Sequence, residues 1–386
     1  MTASPTPLAP VYLDYNASAL VRPEVLEVMT KALADNGNAS AVHAAGRRAR
    51  ARIETARAQV AELVGADPTA VIFTSGGTEA NAQGLASALT AGCERLIVCA
   101  TEHPCVAEAA IASGKPIKVL PVDSRGVIDL KKLAELLKAP GKAMVAIHHA
   151  NNESGVIQPV AEAARLVKAA GGWLHVDAVQ SVGKIAVDIR LLGADSLTLS
   201  GHKLGGPQGV GALVLREGLT ATRILHGPGQ ERGLRAGTEN TPGIAGFGVA
   251  AQSSLLDLAS VESHRVWRDD AEAVVKAAGG VIIGGGAERL PNTLFVAVSD
   301  WDSPRQLITL DLAGVMVSGG SACNSGKTKP SRTILATGRI DLASGGLRAS
   351  GGWATVENDW HRFADAWAAA YVAHRARNEQ RERQVA

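Results

Sequence analysis

Residues 173–215 read WLHVDAVQSVGKIAVDIRLLGADSLTLSGHKLGGPQGVGALVL. Three short apolar runs stand out: WLHVDA (173–178), SLTLS (196–200) and VGALVL (210–215). Each is bounded by polar or Gly-rich residues, the pattern of a buried strand. The third follows the second too closely for a crossover helix, which predicts an antiparallel strand. Upstream, VIFT (71–74), RLIVCA (95–100), IKVLPV (117–122) and AMVAIHHA (143–150) read as four more strands. Helical segments at 78–90, 104–112, 129–138 and 160–170 alternate with them. This rhythm predicts an α/β fold: a mostly parallel seven-stranded sheet with helices on both faces. Ligands of such sheets bind beyond the carboxyl ends of the strands. Downstream, a long helical stretch (242–279) leads to strand-like 281–285 and 292–298, helix-like 303–313 and a Gly-rich loop at 318–326. Strand-like GLRAS (346–350) and a helix near 355–378 complete a smaller α+β domain. The division expected is a flexible N-terminus over 1–12, a large domain over 13–258 and a small C-terminal domain over 259–386.

Composition narrows the function classes. The chain has 386 residues, 46% of them hydrophobic and 20% charged, an ordinary globular mix. Aromatics are only 3%, so aliphatic side chains and alanine must fill the core. The formal net charge of +2 gives no basic field for nucleic acid. Basic clusters at 47–52 and 375–383 read as solvated helix faces. The first residues, MTASPTPLAP, lack the basic start and apolar run of a signal peptide. No uninterrupted apolar stretch reaches membrane-spanning length. The compartment expected is the cytoplasm, with neither nucleic acid nor membrane as partner. The four cysteines, at 93, 99, 105 and 323, form no CxxC pair. No metal site is expected from them.

Three features carry chemistry. Lys203, in Ser200-Gly201-His202-Lys203, follows a strand directly, where a partly desolvated amine can form a Schiff base. Asp177 ends another strand, with Gln180 three residues on. A carboxylate there suits a protonated pyridine nitrogen; an ordinary helix N-cap is the plainer alternative. Ser75-Gly76-Gly77-Thr78-Glu79 joins strand 71–74 to a helix, where free N–H groups and the helix dipole favour a phosphate. Each feature alone is modest. Phosphate cradle, pyridine partner and amine together, on strands of one sheet, point to pyridoxal phosphate.

The sequence resembles the cysteine desulfurases of the NifS/IscS type, fold-type I pyridoxal-phosphate enzymes of the class V aminotransferase family. The resemblance spans about Tyr12 to Gly351. It rests on YLDYNASA (12–19), GNASAVH (37–43), FTSGGTEANA (73–82), TEHPCV (101–106), NNESGVIQPV (151–160), HVDAVQSVGK (175–184), SGHKLGGPQGVGAL (200–213), ERGLRAGTEN (231–240) and SGGSACNSG (318–326).

The resemblance implies roles at matching positions. Lys203 would hold pyridoxal 5'-phosphate covalently. Asp177 would pair with the pyridine nitrogen, and Gln180 would reach the ring hydroxyl. Gly77, Thr78, Ser200 and His202 would bind the phosphate. Thr238 would complete that site from the other subunit of a homodimer. His103 would lie over the ring and assist proton transfer. Asn152 would lie near the ring hydroxyl and the substrate carboxylate, which Arg348 would clamp. Cys323, in a polar Gly-rich loop, would attack the sulfur of L-cysteine, giving L-alanine and a persulfide. An iron–sulfur scaffold protein is the sulfur acceptor that the family suggests.

Some positions depart from the family pattern: Gly77 stands where Ala is common, Pro228 where Gly is common, Gly319 where a second Ser is common, and ILATG replaces Leu-x-x-Met-Gly. None removes a functional side chain. Selenocysteine stays open as an alternative substrate, and Cys105, two residues after His103, reads as structural. A nucleotide-binding dehydrogenase, suggested by VIIGGGAERL (281–290), fails for want of G-x-G-x-x-G.

Overall fold

The computed structural model describes residues 9–35, 37–320 and 330–385. In chain order the strands are β1 Val11–Tyr12, β2 Val71–Thr74, β3 Arg95–Cys99, β4 Ile117–Leu120, β5 Ala143–His148, β6 Trp173–Asp177, β7 Ser196–Ser200, β8 Gly211–Leu215, β9 Val281–Ile282, β10 Thr293–Ala297, β11 Val315–Met316, β12 Ser318–Gly319 and β13 Gly346–Ser350. Strands β2 to β8 form one seven-stranded sheet in the order β2-β8-β7-β6-β5-β3-β4. Pairing is parallel from β4 across to β7. Strand β8 runs antiparallel between β7 and β2, as its short connection requires.

Every residue of β5, β6, β7 and β8 is buried, because helices cover both faces of the sheet. The helix Gly77–Thr90 leaves the end of β2 and packs over β8, β7, β6 and β5. Gly84 allows the close approach: a Cβ added there would sit 2.6 Å from the His175 ring. Opposite, the helices Pro23–Ala34 and Ala44–Leu63 pack on Thr241–Asp257. Arg47 and Arg48 are exposed, as expected for a solvated face, but Arg57 on the same helix is buried. Its guanidinium meets the buried Glu231 carboxylate at 2.7 and 2.9 Å.

The stretch expected as one helix over 242–279 is two, Thr241–Asp257 and Val261–Ala277, joined by a 3-10 turn at Leu258–Ser260. Among the described residues it alone is long and apolar enough, by length and composition, to cross a membrane. Ile244, Phe247, Ala250 and Ala251 instead sit in the main hydrophobic core.

A second core lies around the four-stranded antiparallel sheet β12-β13-β10-β9. Here Val275, Leu294, Leu347, Trp360, Phe363 and Trp367 are fully buried. The scarce aromatics gather in this smaller core. The terminal helix runs to Val385, beyond the expected end, with exposed basic residues on its last turns. One boundary needs correction. Residues 11 and 12, assigned to a flexible terminus, form β1, which pairs in parallel with β11. Val11 and Leu13 are buried in the second core, so apolar burial ties this segment down.

Trp367 is wholly buried and donates its Nε1–H to Gln306 at 3.0 Å. Trp367→Ala is expected to cost about 3–5 kcal/mol, read as a lowered urea midpoint, with the α/β circular dichroism signature retained below the transition.

Candidate active site

The carboxyl ends of β6 and β7 bring the first residues together. Asp177 is the last residue of β6, paired with Thr198 of β7. Ser200 ends β7, and the chain then turns through a 3-10 helix at Gly201–Lys203. The Lys203 amine donates to the backbone carbonyls of Asn16 at 2.6 Å and Ala17 at 2.9 Å. Burial, reinforced by Lys203 and Lys184, holds the neighbouring His202 down at about 4, so its ring is neutral near pH 7.

Asp177 is held by donors on both oxygens. Asn81 Nδ2 donates to Oδ2 at 2.9 Å, and the Val179 amide to Oδ1 at 3.0 Å. Behind Asn81 runs a continuous chain of hydrogen bonds. His175 Nε2 meets Asn81 Oδ1 at 2.8 Å, and His175 Nδ1 meets Ser196 Oγ at 2.8 Å. Trp173 Nε1–H donates to the same Ser196 oxygen at 3.0 Å. One direction satisfies every member: Trp173 to Ser196, Ser196 to His175 Nδ1, His175 Nε2–H to Asn81, Asn81 to Asp177. Burial pushes His175 down to about 4, consistent with the neutral ring this direction needs. Sequence reasoning missed Asn81, His175 and Ser196. The available signal was that His175 and Asp177, two apart on a strand, share one face of the sheet.

The cradle lies beside this pair. Gly76, at φ 156°, precedes the helix Gly77–Thr90, and no side chain caps its first turn. Thr78 is exposed there. A Cβ added at Gly76 meets nothing within 4 Å, whereas one at Gly77 would meet Val179 at 3.0 Å and Ser200 at 3.6 Å. The uncapped N–H groups therefore open beside Ser200, which suits a phosphate. With the Asp177 carboxylate and the Lys203 amine, the residues present fit pyridoxal 5'-phosphate.

His103 caps the helix Pro104–Ala112, its Nδ1 accepting from the Cys105 amide at 3.3 Å. Cys105 Sγ lies 3.0 Å from that nitrogen and 3.3 Å from Asn81 Nδ2. Cys105 thus stands in the wall of the site, between the His103 ring and the partner of Asp177.

Arg348, on β13, is only 2% exposed. Its Nη2 donates to Asp14 at 2.7 Å and its Nη1 to the Asn152 carbonyl at 2.9 Å, while Nε is buried with no partner among the described residues. A buried guanidinium with an unsatisfied N–H is suited to a carboxylate. Gln180 donates its amide to the Asn16 carbonyl at 2.9 Å. A cleft reaches Lys203 and Lys184 from Trp353, Arg22 and His264; Gly77, His103 and Asp177 do not line it. Thr238 is exposed on the loop that Arg235 ties to Glu79 at 2.8 Å. Cys323 lies outside the described residues.

The class V aminotransferase model matches residues 11–363. The cysteine desulfurase IscS of Dictyoglomus turgidum is 39% identical over 366 residues, 92% of this chain and 93% of that protein. The cysteine desulfurase NifS of Azotobacter vinelandii is 39% identical over 340 residues, 85% of this chain and 84% of that protein. The solved NifS-like protein of Rickettsia africae superposes with a TM-score of 0.87 at 33% identity, covering 94% of this chain and 99% of that one. The family match and these relatives, with the mostly parallel sheet, make this a pyridoxal-phosphate enzyme of fold type I. The chain belongs to the class V aminotransferase family, among its cysteine desulfurases.

Glu153 carries a consequence for stability. Its buried carboxyl accepts from Ser331 at 2.6 Å and Thr333 at 3.1 Å. Burial outweighs these donors and pushes it from 4.5 up to about 7. The folded protein thus keeps this proton to about pH 7, whereas the unfolded chain loses it near 4.5. Stability should fall as pH rises across that window, by on the order of a few kcal/mol, and level off above it. Glu153→Gln should flatten this part of the profile, measured by urea denaturation from pH 4.5 to 8.

Proposed function

We propose that the protein is a homodimeric cysteine desulfurase that takes sulfur from L-cysteine, releases L-alanine and leaves a persulfide on Cys323. It acts in the cytoplasm and passes the sulfur to an acceptor protein, an iron–sulfur scaffold being the class expected. The observation that carries the reading is the placement of the Asp177 carboxylate at the carboxyl end of β6 and of the Lys203 amine in the turn that follows the adjacent parallel strand β7, beside an uncapped helix N-terminus.

Lys203 would hold the cofactor covalently, Asp177 would pair with its ring nitrogen, and Gly77, Thr78, Ser200 and His202 would hold its phosphate, with Thr238 supplied by the second subunit. Gln180 and Asn152 face the ring hydroxyl. Bound pyridoxal phosphate supplies an electron sink that loosens the α-proton of the substrate and leaves its sulfur open to attack.

The rest falls to side chains of the chain. Arg348 would hold the substrate carboxylate through Nε–H, which has no partner among the described residues. Lys203 would remove the α-proton of the substrate, its amine positioned by the Asn16 and Ala17 carbonyls. His103, whose Nδ1 accepts from the Cys105 amide, would assist proton transfer. The Cys323 thiolate attacks the substrate sulfur: the S–S bond forms, the carbon–sulfur bond breaks, and its electron pair stays with the carbon skeleton. Protonation of that skeleton gives L-alanine. The sum is L-cysteine plus a thiol going to L-alanine plus a persulfide, with no external oxidant.

The cofactor-loaded protein should release alanine and sulfide from L-cysteine in the presence of a thiol reductant. Lys203→Ala should lose both the covalently held visible chromophore and turnover. Cys323→Ser should keep the chromophore and lose turnover by at least ~10²-fold. Failure of ³⁵S from labelled cysteine to appear on the Cys323 peptide would refute the assignment.

A further inference from the structure

Beside the residues already assigned, a second lysine reaches the same cluster. Lys184 follows β6 by a short turn, and its amine donates to Gln180 Oε1 at 2.7 Å and Asn16 Oδ1 at 2.8 Å. The other end of the Gln180 amide donates Nε2–H to the Asn16 carbonyl at 2.9 Å. That same carbonyl accepts from Lys203 Nζ at 2.6 Å. The NH2 group of Gln180 and the amine of Lys203 therefore converge on one oxygen.

We propose that Lys184 is a positioning residue that fixes the orientation of the Gln180 amide, so that its NH2 end faces the Lys203 amine and its carbonyl end faces away. This rests on the roles given above to Lys203 and Gln180, and adds what sets the second. An amide can turn end for end at little intrinsic cost, and its partners decide the orientation. With Lys184 donating to Oε1, the reverse orientation puts an NH2 group against an amine donor and a carbonyl against the Asn16 carbonyl. Both ends are then mismatched. The ring hydroxyl of pyridoxal phosphate is adjacent to the carbon that a lysine amine attacks. A donor facing Lys203 is therefore the end needed to stabilise that oxygen as an anion; a carbonyl there would repel it.

The charge state of Lys184 does not change this geometry. Burial, with repulsion from Lys203 and Arg348, places its pKa well below the ordinary lysine value. A neutral amine still carries N–H donors for both contacts, and the clash of two carbonyls at Asn16 still opposes the reverse orientation. The titratable groups facing it are Lys203, His202 and Arg348, from the turn after β7 and from β13. A direct charge effect of Lys184 on the bound cofactor is therefore the rival that the test must separate.

The experiment is a pH titration of the visible absorbance of the holoenzyme. Lys184→Met keeps the side-chain length and removes both N–H bonds. It should raise the midpoint of the spectral transition by roughly half a unit or more, because the ring oxygen loses its donor. Gln180→Ala should raise it similarly, and Lys184→Met should add nothing in the Gln180→Ala background. An equal shift in both backgrounds overturns the proposal in favour of a direct charge effect. A spectrum that Lys184→Met leaves unaltered at every pH overturns it as well. A wild-type holoenzyme with no visible band would instead overturn the cofactor reading on which it rests.

Discussion

The parallel register of β6 against β7 is the constraint on which the site depends. It sets Asp177 opposite Thr198 and His175 opposite Ser196. Strand residues alternate between faces, so a slip of one residue would turn Asp177 and His175 to the far side of the sheet. The register is strongly held because both strands are buried along their whole length. The same pairing that buries Leu174, Val176 and Leu197 in the main core thus aims the carboxylate.

Burying polar groups beneath an active site is costly unless each finds a partner. The line from Trp173 through Ser196, His175 and Asn81 meets that requirement and ends on Asp177. It fixes the carboxylate from behind with neutral groups. Cys105 joins this line through Asn81 and touches His103. The two walls of the site are therefore mechanically linked.

The N-terminal segment does an unexpected share of the work. Asp14 pairs with Arg348 of the smaller core, while Asn16 accepts at its backbone carbonyl from Gln180 and Lys203 of the larger sheet. Asn16 Nδ2 also reaches Thr293 at 2.9 Å on β10. One short stretch thereby ties together side chains from both cores. The strand β1 holds it in place through pairing with β11 and burial of Val11 and Leu13.

Local pattern was enough to read the seven strands of the main sheet, the antiparallel sense of β8, and Lys203 and Asp177 at strand ends. Those features depend on apolar periodicity and on connection length, both of which are written along the chain. It was not enough for Arg57, which reads as one more arginine of a solvated helix until Glu231 is folded against it. Nor did it show that 242–279 breaks at Leu258–Ser260, since the composition stays helical throughout. Nothing in the local pattern singled out Asn81, His175, Lys184 or Asn16, for the same reason. Their meaning lies in hydrogen bonds to residues distant in sequence, and such contacts exist only after the sheet has closed its register. The sequence by itself determined which chemical groups the protein carries and on which elements; the tertiary structure alone decided which way each group faces and what holds it there, because orientation is set by partners that the chain brings together only on folding.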